Sequence, residues 1–187
     1  MAKNIKREVI EWTAFFFVGV GLSLTGYHTE VIGTLQRIIL TTGVFQPSEN
    51  EATVLADYDL LLEDLEGNTL SLSDWKGEPI FLNFWATWCP PCIAEMPDID
   101  KLYQFVNKKI HFAIISVDDD REKVKSFAKR KGFDFPIYFA KSRLPKVYES
   151  TTIPTTHVID AKGHIVISQR GMAKYSSDAF ITYLRGL

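Results

Sequence analysis

Cysteine is nearly absent from this chain: two in 187 residues, Cys89 and Cys92. There is no second Cys pair and no His-x-x-x-His, so a structural zinc site cannot find its four ligands. Covalent haem attachment would need His at position 93, where Ile93 stands. A dominant charge is lacking too: 21 Lys+Arg against 23 Asp+Glu leave a net charge of −2, which argues against a nucleic-acid partner needing a broad basic face. Internal repeats and low-complexity tracts are missing. The one linker-like stretch is Gln46 to Thr53, with Pro47, Ser48, Glu49, Asn50 and Glu51, and the domain boundary is placed there. At 46% hydrophobic residues, the remainder suits one globular domain with an appendage.

The two cysteines that are present stand in Trp88-Cys89-Pro90-Pro91-Cys92, directly after the apolar run Ile80 to Ala86. That run reads as a buried strand. Ile93 to Met96 with Ile99, Leu102, Tyr103 and Val106 reads as a helix starting at the cysteines. Unpaired N–H groups and the positive dipole end of a helix N-terminus favour thiolate over thiol, and the thiolate is the form that attacks disulfides. Cys92, one turn on, is placed to resolve the mixed disulfide that Cys89 would form. A lone Cys-x-x-Cys arises by chance, but the strand-to-helix setting argues against chance here.

Before the linker, Lys3, Lys6 and Arg7 precede an apolar stretch from Trp12 to Tyr27. Residues 1–28 are read as an uncleaved signal anchor, a transmembrane segment with its N-terminus in the cytoplasm. Ser23 to His28 is a poor match to a cleavage site, and no cysteine before Cys89 offers a lipid attachment point. Val31, Ile32, Leu35, Ile38, Ile39 and Phe45 recur at helical spacing with Gln36, Arg37 and Thr41 opposite. Residues 29–45 are therefore expected to form an amphipathic helix at the membrane surface. Packing of that helix on the folded domain, or a second membrane arm, stays open. Residues 46–55 form the linker and 56–187 the domain.

Along the domain, Asp64 to Asn68 reads as a turn between Tyr58–Leu62 and Thr69–Leu72. Strand, helix, strand and helix follow through Ile110–Val117 and Arg121–Lys131, the latter ending at Gly132. Phe135–Phe139 is a short strand and Leu144–Glu149 a short helix. Thr155–Asp160 with His164–Gln169 is a hairpin, and Ser176–Leu187 a closing helix. The pattern predicts a three-layer α/β sandwich with a mixed sheet.

Phe84-Trp85-Ala86-Thr87-Trp88-Cys89-Pro90-Pro91-Cys92 together with Thr152-Ile153-Pro154-Thr155-Thr156 resembles the paired signatures of the thioredoxin-like superfamily. With Glu95-Met96-Pro97 after the cysteines and Ser71 to Gly77 before them, the chain is similar to the TlpA/ResA type of membrane-anchored thiol:disulfide oxidoreductase. The resemblance runs from about Ala56 to the C-terminus. It implies a cis peptide at Ile153-Pro154 facing the thiols and offering backbone to an extended substrate. Trp88 is read at the rim and Trp85 in the core, by aromatic packing beside the active turn and under it. The resemblance also implies that Glu95 exchanges protons with Cys92, against the alternative of a solvated surface Glu. Asn83 stands where many thioredoxins have a buried Asp, and it cannot act as a base.

The activity expected is disulfide reduction in an extracytoplasmic, oxidising compartment, on the periplasmic side of a bacterial inner membrane, in the service of redox homeostasis. Its partners would be disulfide-bearing proteins, apocytochrome c among the candidates, and a membrane electron donor. No cofactor beyond the redox-active Cys89/Cys92 pair is expected, and no metal. Pro90 and Pro91 remove two donors that would otherwise stabilise the Cys89 thiolate, so a Cys89 pKa near the thioredoxin value of about 7 is expected. The same motif runs as an oxidase or isomerase if the poise differs. A thiol peroxidase is disfavoured because Thr87 precedes Cys89 by two residues rather than three. A noncatalytic tethered module would not need both thiols and Pro154. His157 is read as a packed histidine rather than a copper ligand.

Overall fold

The computed structural model describes residues 5–25, 28–47 and 49–187. Lys3, Gly26, Tyr27 and Ser48, which entered the readings of anchor and linker, lie outside the described residues. Two helices lead the chain, α1 (Ile5–Thr25) and α2 (His28–Thr41). Strands β1 (Glu49–Leu55), β2 (Leu61–Asp64) and β3 (Thr69–Ser71) follow, then a 3-10 turn over Leu72–Trp75. The centre is β4 (Ile80–Trp85), α3 (Pro90–Val106), β5 (His111–Ser116), α4 (Arg121–Lys131) and β6 (Ile137–Ala140). A 3-10 turn at Lys146–Tyr148, β7 (Thr155–Ile159), β8 (His164–Arg170) and α5 (Asp178–Arg185) complete it.

Among the described residues all eight strands form one sheet, in the order β1-β8-β7-β4-β5-β6-β2-β3. The β4–β5 and β5–β6 pairs are parallel, joined through α3 and α4, while β7 meets β4 antiparallel and β8 returns from it as a hairpin. The mixed sheet expected from the sequence is present. Strand β4, paired on both edges, is buried at all six positions, which is why it reads as an unbroken apolar run. Its side chains alternate: Phe81 and Trp85 join the core under α3, α4 and α5, and Ile80, Leu82 and Phe84 the core on the opposite face.

The opposite face departs from the three-layer expectation. It is covered by 3-10 turns and loops, with Leu72 and Tyr148 its deepest contributions, rather than by a helix. The segment Leu144–Glu149 is too short, and carries Pro145, to extend beyond one turn. The helices follow local rules. Asp120 caps α4 by accepting from the Lys123 N–H, Gly132 ends it in the left-handed conformation at φ 64°, and Lys129, Arg130 and Lys131 complement its dipole.

The linker assignment for residues 46–55 is corrected: β1 occupies most of it and pairs with β8. A polar sequence disguised it because an edge strand needs backbone partners and little buried side-chain surface; Val54 and Leu55 remain exposed.

The expected helix over 29–45 is α2, and it lies on α3. Thr29, Gly33 and Leu40 form its buried stripe, while Val31, Leu35, Ile38 and Ile39 face outward. The apolar face read from the sequence is thus the exposed one, and the stripe of Thr29, Gly33 and Leu40 makes the contact with the domain. Helix α1 exposes Trp12, Phe15, Phe16, Phe17 and Val18, each by more than half. Among the described residues no helix is long and apolar enough to cross a membrane.

Candidate active site: a cysteine pair beside a buried acid

The chain leaves β4 at Trp85, turns through Ala86, Thr87 and Trp88, and enters α3 with Cys89 as its N-cap. Asp118, just past the end of β5, fastens that turn. Its carboxylate accepts the Thr87 N–H at 2.8 Å, the Thr87 hydroxyl at 2.6 Å and the Ser116 hydroxyl at 2.9 Å. Trp85 is fully buried, its ring tilted against Phe127 in the core, whereas Trp88 is 51% exposed beside the cysteines.

Cys89 and Cys92 are joined as a disulfide with Cα atoms 5.3 Å apart. Pro90 and Pro91 fill the first helical positions, where a missing N–H costs least. The Cys92 N–H therefore serves Cys89 Sγ alone, at 3.3 Å. Cys89 retains 4% exposure and Cys92 none, so an incoming sulfur reaches Cys89 first. Cys89 Sγ lies 3.8 Å from the Ile153 carbonyl oxygen, and the Ile153-Pro154 peptide is cis, as the resemblance implies.

Glu95 is on the same helix one turn after Cys92 and is completely buried. Its Oε1 accepts from Asn83 Nδ2 at 2.8 Å and its Oε2 from the Ala173 N–H at 3.1 Å. Burial dominates over these two donors and pushes its pKa up to about 8. The solvated-Glu alternative is thereby set aside. Asn83 Nδ2 also donates to Thr156 Oγ1 at 2.9 Å, and the buried Tyr175 hydroxyl donates to the same oxygen at 2.7 Å. Asn83 is thus a donor to the acid. Burial raises the Tyr175 pKa well above its ordinary value, so it stays a neutral donor.

His157 packs between the rings of Phe84 and Tyr148. Phe84 and Tyr148 belong to the core on the side of the sheet away from α3. Burial, helped by Arg170, pushes the His157 pKa down to about 4, and the ring is neutral at pH 7.

Sequence reasoning missed Asp118, Thr156, Ala173 and Tyr175 as parts of this site. Asp118 alone carried a local signal, an acid at the C-terminal end of a parallel strand neighbouring the cysteine strand. The others are brought in by β7 and by the segment before α5.

A cysteine disulfide at a strand-to-helix turn, a cis proline opposite and a mixed sheet beneath define a thioredoxin-like redox protein. The Redoxin family model matches residues 47–180, and the chain belongs to that family, as a TlpA/ResA-type thioredoxin-like protein. It is 38% identical over 109 residues to the thiol-disulfide oxidoreductase ResA of Geobacillus kaustophilus, covering 57% of this chain and 63% of that one. To the ResA of Bacillus cereus (strain ATCC 10987 / NRS 248) it is 33% identical over 134 residues, covering 71% and 78%. The chain thus matches just under two thirds of the Geobacillus relative's length. Among solved structures, StoA from Bacillus subtilis aligns with a TM-score of 0.53 at 28% identity, over 67% of this chain and 92% of that one. A thioredoxin-family thiol:disulfide interchange protein from Chlorobium tepidum aligns with a TM-score of 0.57 at 26% identity, over 75% and 96%.

Proposed function

We propose that this chain is a thiol:disulfide oxidoreductase working as a membrane-tethered, extracytoplasmic disulfide reductase. The observation that carries the reading is the Cys89–Cys92 disulfide, with the less buried sulfur facing cis Pro154 and a buried acid one turn beyond the deeper one.

In the reduced protein the Cys89 thiolate attacks one sulfur of a substrate disulfide, and the other substrate sulfur leaves as a thiol. Cys92 then attacks Cys89 Sγ, the second substrate thiol departs, and the Cys89–Cys92 bond closes. Two electrons pass to the substrate, and the protein must be recharged by a donor dithiol. Glu95 takes the Cys92 proton as that thiol becomes a nucleophile, and returns it when the pair is reduced again. A carboxyl group with a pKa near 8 suits both halves of that exchange at neutral pH. Trp88 and the Ile153 carbonyl offer a rim and a backbone acceptor to an extended substrate segment.

The tether is assigned to α1. Its exposed aromatic and aliphatic side chains and the basic residues Lys6 and Arg7 at its start support this, and the outward apolar face of α2 would lie against the same lipid surface. The domain would then face the periplasmic side of a bacterial inner membrane.

The reduction potential of the pair, equilibrated against defined dithiothreitol or glutathione ratios, tests direction. A value near that of thioredoxin, about −270 mV, supports a reductase; one near −120 mV assigns an oxidase. A Cys92→Ser protein that accumulates a substrate mixed disulfide through Cys89 supports the order of attack. Retention in the membrane fraction through alkaline carbonate washing, lost when α1 is removed, supports the tether.

A further inference from the structure

Helix α2 precedes the Redoxin-matching region, which begins at residue 47, yet it is fastened to the helix that carries the cysteines. Three contacts hold it. At its start the Glu30 carboxylate pairs with Arg130, at 3.0 Å, and with Lys131, at 2.7 Å, both in the last turn of α4. In its middle Gly33 lies against the first turn of α3, so closely that a Cβ there would stand 2.9 Å from the Pro90 carbonyl oxygen and 3.1 Å from Ile93 Cβ. At its end Lys174 Nζ donates to the Thr41 carbonyl at 3.3 Å, and the Lys174 N–H donates to the Phe45 carbonyl at 2.8 Å. Lys174 directly follows Ala173, whose N–H holds Glu95.

Only glycine permits this approach. Backbone of α2 meets backbone of the Cys-Pro-Pro-Cys turn, and any side chain would strike a carbonyl that cannot move without moving the cysteines. The contact falls on Pro90, between the two sulfurs in sequence, and on Ile93, the residue after Cys92. Trp88 and the Ile153-Pro154 peptide are not among these contacts.

We propose that α2 is a wall of the active site: seated on the first turn of α3, it closes one approach to the cysteine pair and leaves the Trp88 and Ile153-Pro154 side open, so that disulfides in extended polypeptide segments are selected over those on folded surfaces. The selectivity rests on the oxidoreductase reading; the wall itself does not. Gly33 and Glu30 are positioning residues that set α2 in place.

The test uses the full chain with Cys89→Ser, so that Cys92 is a free thiol and no turnover is required. Iodoacetamide alkylation of Cys92 is followed with Gly33 intact, with Gly33→Val, and with Glu30→Lys, which sets like charges against Arg130 and Lys131. Alkylation is expected to rise at least tenfold in both variants. Adding Arg130→Glu and Lys131→Glu to Glu30→Lys restores the pairing with signs exchanged and is expected to return the rate to within threefold of the parent. Rates within twofold of the parent in both Gly33→Val and Glu30→Lys would overturn the wall, as would failure of the reversed pairing to restore protection.

With both cysteines present, the ratio of rates on a disulfide in an unfolded polypeptide to one on a folded protein surface is expected to fall at least fivefold in Gly33→Val. An unchanged ratio overturns the selectivity. Absence of turnover on either disulfide, with alkylation behaving as expected, would instead sink the oxidoreductase reading alone.

Discussion

Asn83 Nδ2 and Glu95 Oε1 are 2.8 Å apart, a strand residue and a helix residue twelve positions on, joined in the interior directly beneath the cysteine turn. The amide donates to the acid when it is ionised, and Thr156 occupies the same amide nitrogen from the other side at 2.9 Å. The proton on Glu95 is therefore tied to a network that also positions β4 and β7, and its loss or gain has a thermodynamic signature.

Glu95 has a pKa of about 8 in the folded protein against 4.5 as a free side chain. Between those values the folded state keeps a proton that the unfolded chain releases, so stability is full below 4.5 and falls as pH rises toward 8, by up to about 1.4 kcal/mol per pH unit. Glu95→Gln is expected to remove that fall, making the variant less sensitive than the parent to pH between 5 and 8 in urea titrations. The rate at which Cys92 resolves a mixed disulfide is expected to drop in the same variant and to lose its inflection near neutral pH, as read by stopped-flow quench.

His157 works with the opposite sign. Its folded pKa is about 4 against 6.5, so the unfolded chain binds the extra proton, and stability is lost as pH falls through that window. Between pH 4.5 and 6.5 the two slopes oppose and the stability profile is expected to be flat. In His157→Leu the acid-side loss is expected to vanish, leaving a monotonic decline with rising pH; denaturant midpoints measured from pH 4 to 8 check it.

Asp118 accepts three hydrogen bonds at the turn that delivers Cys89. Asp118→Ala is expected to lower stability by about 1–3 kcal/mol through the donors it strands. A slower attack on substrate disulfides is expected with little change in the reduction potential if the turn merely loosens. Asp118→Asn, which keeps one acceptor oxygen, is expected to recover part of the stability.

Thr156→Val leaves the Tyr175 hydroxyl and one Asn83 donor without their shared acceptor in a site closed to water. A loss of about 1–3 kcal/mol is expected, with Thr156→Ser close to the parent, by thermal or urea unfolding.

How much of this was legible beforehand follows from how far each determinant lies along the chain. Cys89 and Cys92 are read from local sequence, because capping, proline placement and the strand before them are set within a dozen residues. The hairpin of β7 and β8 and the cap at Gly132 are equally local. Glu95 is placed beside Cys92 by helical spacing, but its burial depends on Ala173 and Asn83, which no local pattern joins to it. Strand β1 was hidden because its pairing with β8 is made by backbone. For α2 the sequence shows an apolar stripe and hides the stripe that is used. Gly33 contributes by having no side chain, a property invisible to any hydrophobic pattern.

The strand order carries a consequence for a chain made from its N-terminus. The cysteines are made before the peptide that faces them, which lies some sixty residues later, and before Ala173 and Tyr175, some eighty residues later. Strand β1, the first made, waits for β8 before its edge is covered. From the making of Cys92 until that of Ala173 the protein is thus a pair of unguarded thiols on an open sheet. The segment carrying Ala173 and Tyr175 converts a general redox hazard into a selective reagent. Thiol labelling of nascent chains arrested at successive lengths behind a C-terminal spacer is expected to show reactivity falling in one step as Ala173 and Tyr175 clear the ribosome, rather than declining gradually from Cys92 onward.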